Sequence, residues 1–131
     1  MSFKNMRTAS LIMLSALFVQ VAHADEIRHA AFPNVMLGTW AETAEQCAAK
    51  DKTNIVIEPA KYRDGGGDCA VRWIVETAGR GGINYAVHSL CISASLPEKT
   101  QNKNIIVRPL GPDRAAMGQS FEDLKTYQRC L

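Results

Sequence analysis

No two cysteines of this chain lie close together. Cys47, Cys69, Cys91 and Cys130 are separated by 21, 21 and 38 intervening residues. That spacing excludes a zinc ribbon, whose close C-x-x-C pairs place two thiolates on one turn. It equally excludes a C-x-x-C redox motif. Histidine is scarce too. His23, His29 and His88 show no H-x-x-x-H or H-x-H spacing, so no metal site is expected. There is no G-x-S-x-G nucleophile elbow and no alternating D-x-D-x-D calcium loop. Lys and Arg form no run beyond isolated neighbours such as Lys50 and Lys52, so nothing argues for nucleic acid.

A long apolar run is also missing. The one apolar stretch, Ala9 to Val21, is about 13 residues, against the ~20 needed to span a bilayer. Lys4 and Arg7 precede it and Ala22-His23-Ala24 follows it, which is the order of a cleavable export signal. Residues 1–24 are therefore expected to leave, the mature chain to start at Asp25, and no membrane span to remain. An uncleaved anchor is the alternative. The leader carries two basic residues and no acid. Of the 15 Lys plus Arg and 13 Asp plus Glu in the whole chain, 13 and 13 remain after it. The remaining 107 residues suffice for one domain. Four cysteines in an exported chain imply two disulfides and a periplasmic or secreted location. Three pairings are possible; Cys47–Cys69 with Cys91–Cys130 is the favoured expectation.

The mature chain reads as mainly β. Residues 25–35, polar and containing Pro33-Asn34, are expected to form an irregular N-terminal arm, and 36–131 one disulfide-stabilised domain. Val35 to Trp40 reads as a first short strand. Ala41 to Lys50 is rich in helix formers, and Thr43 with Gln46 matches a capping box. Asn54 to Glu58 is a strand closed by Pro59. Asp64-Gly65-Gly66-Gly67-Asp68 is a turn. From Cys69 to Thr77, apolar Cys69, Val71, Trp73 and Val75 alternate with Arg72 and Glu76, which predicts a half-buried strand. Gly79 to Gly82 connects it to a strand running from Ile83 to about Leu96. Apolar parity changes midway there, which predicts a β-bulge near His88-Ser89. Asn104 to Arg108 is another strand, closed by Pro109, and Gly111-Pro112-Asp113 a turn. The C-terminal segment fits a helix opened by Ser120 or a strand over 125–130, the strand being favoured. The sum is a small curled antiparallel sheet or β-barrel of five to six strands, with one short N-terminal helix and two disulfides.

Chemistry-bearing residues are few. Ser89 follows His88, but neighbouring strand residues point to opposite faces, so no catalytic dyad is expected. The acids are spread over turns and outer faces with no marked pair. Asp64 and Asp68 read as solvating a hairpin turn, and Gly79 to Gly82 lacks the helix N-terminus of a phosphate cradle. No catalytic residue, cofactor or metal is expected. Trp40, Trp73, Tyr62, Tyr85 and Tyr127 read chiefly as core. If a ligand pocket exists, Trp40, Tyr62 and Tyr85 are its first candidates.

Through Gly38-Thr39-Trp40-Ala41, Cys47, Ile55-x-Ile57, Tyr62, Cys69-x-Val71, Tyr85-x-Val87, Cys91 and Tyr127-x-Arg129-Cys130, the chain resembles short exported bacterial proteins of unknown function. They share a G-T-W-A start and four cysteines. The resemblance implies an exported β-rich domain and no known activity. Gly38-x-Trp40 also looks like the opening of lipocalin-type barrels and of the small-barrel periplasmic inhibitors of secreted metalloproteases, which carry a single disulfide. Three function classes follow. The first is a non-enzymatic binding or interaction domain of the cell envelope, its partner an envelope protein. The second is a barrel-type protease inhibitor or binder of a small apolar ligand. The third is an enzyme.

Overall fold

The computed structural model describes residues 26–79 and 81–131; the expected leader lies outside them. Nine strands form one antiparallel sheet: β1 Ile27–His29, β2 Gly38–Ala41, β3 Ile55–Glu58, β4 Lys61–Asp64, β5 Gly67–Gly79, β6 Gly82–Ser93, β7 Thr100–Gly111, β8 Arg114–Gly118 and β9 Lys125–Arg129. β2 to β9 pair each with the next, and β9 returns to β2, closing an eight-stranded up-and-down barrel. β1 lies outside that ring. It pairs with β5 at Glu76, Val75 and Ile74, beyond the point where the short β4 stops.

The expectation of five to six strands is corrected by β1, β4 and β8. Each hides for a local reason. β4 has one apolar residue, Tyr62, among Lys61, Arg63 and Asp64. β8 reads Arg-Ala-Ala-Met-Gly, without a β-branched side chain. Both are bonded along both edges, so ladder hydrogen bonds supply what propensity does not. β1 falls inside the stretch 25–35 expected to be irregular. At the C-terminus the strand prevails over the helix, preceded only by a single 3₁₀ turn, Phe121–Asp123.

The predicted helix forms as α1, Ala44–Ala49. Thr43 Oγ1 accepts from the Gln46 amide and Gln46 Oε1 accepts from the Thr43 amide, both at 3.2 Å. The helix lies against β2 on the outside of the barrel.

Inside, the barrel is solid. Trp40, Tyr62, Ile57, Ile74, Val87 and Val107 are each at most 2% exposed. Trp40 and Tyr62 together remove from water an area worth about 8–12 kcal/mol of gross transfer free energy. One end is sealed by the segment before β2. Phe32 donates its amide to the Pro59 carbonyl (2.8 Å), Met36 is 1% exposed, and Trp40 Nε1 donates to the Met36 carbonyl (3.0 Å). Arg129 lies across this end. Its guanidinium carbon sits 4.4 Å from the centre of the Trp40 ring, and its nitrogens donate to the carbonyls of Leu37, Val35 and Pro112. Gly38 explains its own place in Gly38-x-Trp40. Its φ is +123°, and a Cβ there would meet Arg129 Nη1 at 3.1 Å.

The disulfides pair differently from the favoured expectation. Cys69 joins Cys91, its direct cross-strand partner on β5 and β6, and Cys47 joins Cys130. Cys47–Cys69 and Cys69–Cys91 would close sequence loops of equal length, so spacing alone does not choose between them. The barrel instead brings α1 against the end of β9, while both Cys69 and Cys91 face the interior at 2% and 4% exposure.

The bulge is on the other strand from the one expected. Val71 pairs with Ser89 and Trp73 with His88, leaving Arg72 on β5 without an opposite number. β6 keeps one parity throughout: Tyr85, Val87, Ser89 and Cys91 are buried, and Leu90 and Ile92 face out. The parity change belongs to β5, where Ile74 becomes core at 0% exposure and Trp73 turns outward at 38%.

Candidate functional site

The three pocket candidates do not come together. Trp40 is packed under Arg129 at the sealed end. Tyr85 is 8% exposed, its ring 6.2 Å from that of His29. Tyr62 alone reaches an opening, the mouth at the other end of the barrel. There a hollow of about 300 Å³ is floored by Ile55, Tyr62, Ile105 and Met117 and rimmed by Tyr127, Gln119 and an ion pair. That pair, Lys103 Nζ to Asp64 Oδ2, is 2.6 Å long with both side chains about one-fifth exposed. The hollow matches the low end of the ~300–1,000 Å³ of small-molecule pockets. Sequence reasoning had Tyr127 among the aromatics but not Lys103 or Met117, which converge only through barrel closure.

Below the mouth, Ser89 is 3% exposed and donates to the Lys103 carbonyl at 2.8 Å. Its single proton is thereby used, so Tyr62 Oη, 3.0 Å away, donates to Ser89 Oγ. Burial pushes the Tyr62 hydroxyl above its ordinary value of 10.0, and the nearby Asp64 carboxylate adds to the rise. Tyr127 is raised the same way, by burial first and then by Glu42 and Asp64. Ser89 thus completes a structural hydrogen-bond chain. His88 points the opposite way, to the outer wall.

His29 lies in β1, its Nε2 2.5 Å from Glu76 Oε2. This contact ties the added strand to β5. Burial, then Glu76, raises the Tyr85 hydroxyl beside it. Among the described residues no three His, Cys, Asp or Glu side chains are grouped to hold a metal ion, and no helix is long and apolar enough to cross a membrane.

The larger hollows are on the outer wall. One of about 620 Å³ lies over Val56, Ala70, Leu90 and Ile92, with Arg63 and Asp68 beside them. A second, of about 900 Å³, continues from Val56 and Ile92 towards α1 and the Cys47–Cys130 bridge. Next along β5 and β6 from Ala70 and Leu90 comes the bulge, with Trp73 on its outer face. The Trp73 and His88 rings stack at 4.7 Å and 19°, and the Arg28 guanidinium lies 5.9 Å from the indole. Sequence alternation had assigned Trp73 to the inner face. The signal that could have moved it was Ile74, the apolar residue that broke the polar side of the pattern. No family model matches the chain, and no curated protein and no solved structure matches it either.

Proposed function

We propose that this chain is an exported, non-enzymatic binding domain of the bacterial cell envelope that engages its partner from the outer surface of the barrel. The observation that carries this reading is the solid interior. Side chains from every strand of the ring fill the space in which a barrel would hold a cargo, so the concave surfaces left are the wall and the mouth. Export rests on the leader, with cleavage near Ala24, and on two disulfides, which persist in an oxidising compartment.

The test is photo-crosslinking in the native host. A photoreactive residue is placed in turn at Val75 and Ile92 on the wall, Gln119 at the mouth, and Thr126 on the opposite side. A discrete protein adduct from at least one position is the expected result. If no position gives one, and a hydrolase screen finds turnover that His88→Ala or Asp64→Asn abolishes, the domain is an enzyme and the reading is wrong.

A second reading is favoured by the mouth. Its apolar floor with Tyr62 and its rim of polar groups suit a small apolar ligand with one polar end. A barrel-type protease inhibitor would also present an end of the barrel. Titration against secreted proteases at micromolar concentration, alongside a small-molecule thermal-shift panel, separates both from the leading reading.

A further inference from the structure

We propose that the outer wall of β5, β6 and β7, centred on Trp73, docks an acidic polypeptide segment with interspersed apolar side chains. This rests on the reading of the chain as a binding domain and names its surface and partner chemistry.

Three observations converge. The first is the bulge. Simple alternation would bury Trp73 and expose Ile74; the unpaired Arg72 reverses this and leaves an indole 38% exposed in a domain with two tryptophans. Bulges recur where a strand re-aims a side chain for function.

The second is rigidity. Trp73 is stacked on His88 and flanked by Arg28. An aromatic already held in place loses little freedom on binding, and Trp and Arg dominate the energetic centres of protein interfaces.

The third is charge. Arg28 and Arg72 face outward beside Trp73; Arg108 stands farther along β7, where its Nε donates to Asn84 Oδ1 (2.7 Å) and its guanidinium carbon lies 5.7 Å from the centre of the Phe121 ring. On β5, β6 and β7 the one acid on that face is Asp68, at the far end beside Ile92; Glu26 stands two residues before Arg28, just ahead of β1, and Glu76 points to the other face, towards Tyr85 and His29. Elsewhere on the barrel, lysines stand beside acids, as in Lys61–Glu58 and Lys125–Glu42. Among the described residues no carboxylate lies within ion-pair distance of Arg28 or Arg72. Leu90 and Ile92 continue the wall as an apolar strip that would receive the segment's apolar side chains.

A polypeptide is favoured over an anionic membrane. Membrane attraction grows with the number of basic residues near the surface, and this wall carries few, spread around an anchor already stacked between neighbours.

Biolayer interferometry of the mature domain against an immobilised random glutamate–tyrosine copolymer tests this, with a glutamate homopolymer and phosphatidylglycerol vesicles as further arms. The copolymer should bind more tightly than the homopolymer, and binding should weaken with salt. Trp73→Ala should weaken it about tenfold, as for loss of an interface anchor. Arg28→Ser with Arg72→Ser should weaken it and flatten the salt dependence. Lys125→Ser, on β9 across the ring from this wall, should change nothing. Trp73→Phe should retain most of the affinity, which shows that a folded surface is read. Equal binding by Trp73→Ala and wild type overturns the proposal, as does binding to vesicles but not to copolymer. In-host crosslinks arising at Gln119 alone would sink this surface while leaving the binding-domain reading intact.

Discussion

The β5–β6 hairpin and the β2–β9 seam are held by different means. The hairpin registers twelve residue pairs, from Gly67↔Ser93 to Gly79↔Gly82. The seam that closes the barrel registers two, Trp40↔Arg129 and Ala41↔Gln128. Each carries one disulfide. In the hairpin, Cys69–Cys91 links residues the ladder already pairs. At the seam, side chains do what the ladder does not: Arg129 lies over Trp40 and bonds three carbonyls, and Cys47–Cys130 fixes α1 to the chain just past β9. A local contact forms with little loop closure. The seam must join segments some 90 residues apart, so its stability depends on contacts that hold only once the ring is complete.

The largest expected effect tests that contrast directly. Cys47→Ser with Cys130→Ser opens a loop with a separation of 83 residues and should cost about 4.5 kcal/mol. Cys69→Ser with Cys91→Ser, at a separation of 22, should cost about 3.4 kcal/mol. Urea denaturation of the two double variants ranks them; a hairpin variant less stable than the seam variant would reverse the comparison.

Arg129→Met keeps much of the apolar stem and removes the guanidinium. A loss of about 3 kcal/mol is expected, because the Leu37 and Val35 carbonyls lose charge-assisted donors and Trp40 its cation. Arg129→Lys should recover under half of it, since an ammonium cannot present the planar fork. If full recovery is seen in the same denaturation series, the fork is not what closes the seam.

A smaller effect comes from Tyr62, which packs beside the hairpin disulfide. Tyr62→Phe should cost about 1 kcal/mol at neutral pH. Burial raises the folded hydroxyl above its ordinary 10.0. The neutral form is therefore favoured in the fold, so this stabilising contribution is complete below pH 10 and falls as pH rises through the folded value. Wild-type stability should thus drop above pH 10, and drop less steeply in Tyr62→Phe. Parallel slopes in the two would remove Tyr62 from the alkaline transition.

Sequence reading recovered the elements whose signal is local. The α1 capping box, the strand before Pro59, the glycine connection between β5 and β6, and the Asn104–Arg108 part of β7 all announce themselves within a few residues, whereas β7 itself starts at Thr100 and runs through Pro109 to Gly111. β8 does not, because Ala115 and Met117 are buried by closure and not by any apolar run. The disulfide pairing was misread for the same reason: Cys130 meets Cys47 only when β9 returns to β2. The bulge was detected as a parity conflict but placed one strand away, since Leu90 and Ile92 are apolar yet outward, and Ile74 is the true core residue. Of the candidate surfaces, the aromatics were legible as types. That Tyr62 borders the mouth and Trp73 faces solvent depends on barrel closure and on the placement of one unpaired arginine.

The two indoles have a practical consequence. Trp40 is sealed beneath a guanidinium and Trp73 looks out on water, so the molecule contains two optical reporters with separate duties. Emission from Trp40 should follow whether the ring is closed and ignore soluble quenchers. Emission from Trp73 should be quenched readily in the free domain and protected when something covers the wall. Single-tryptophan versions made with phenylalanine would therefore let folding and docking be watched independently in one cuvette.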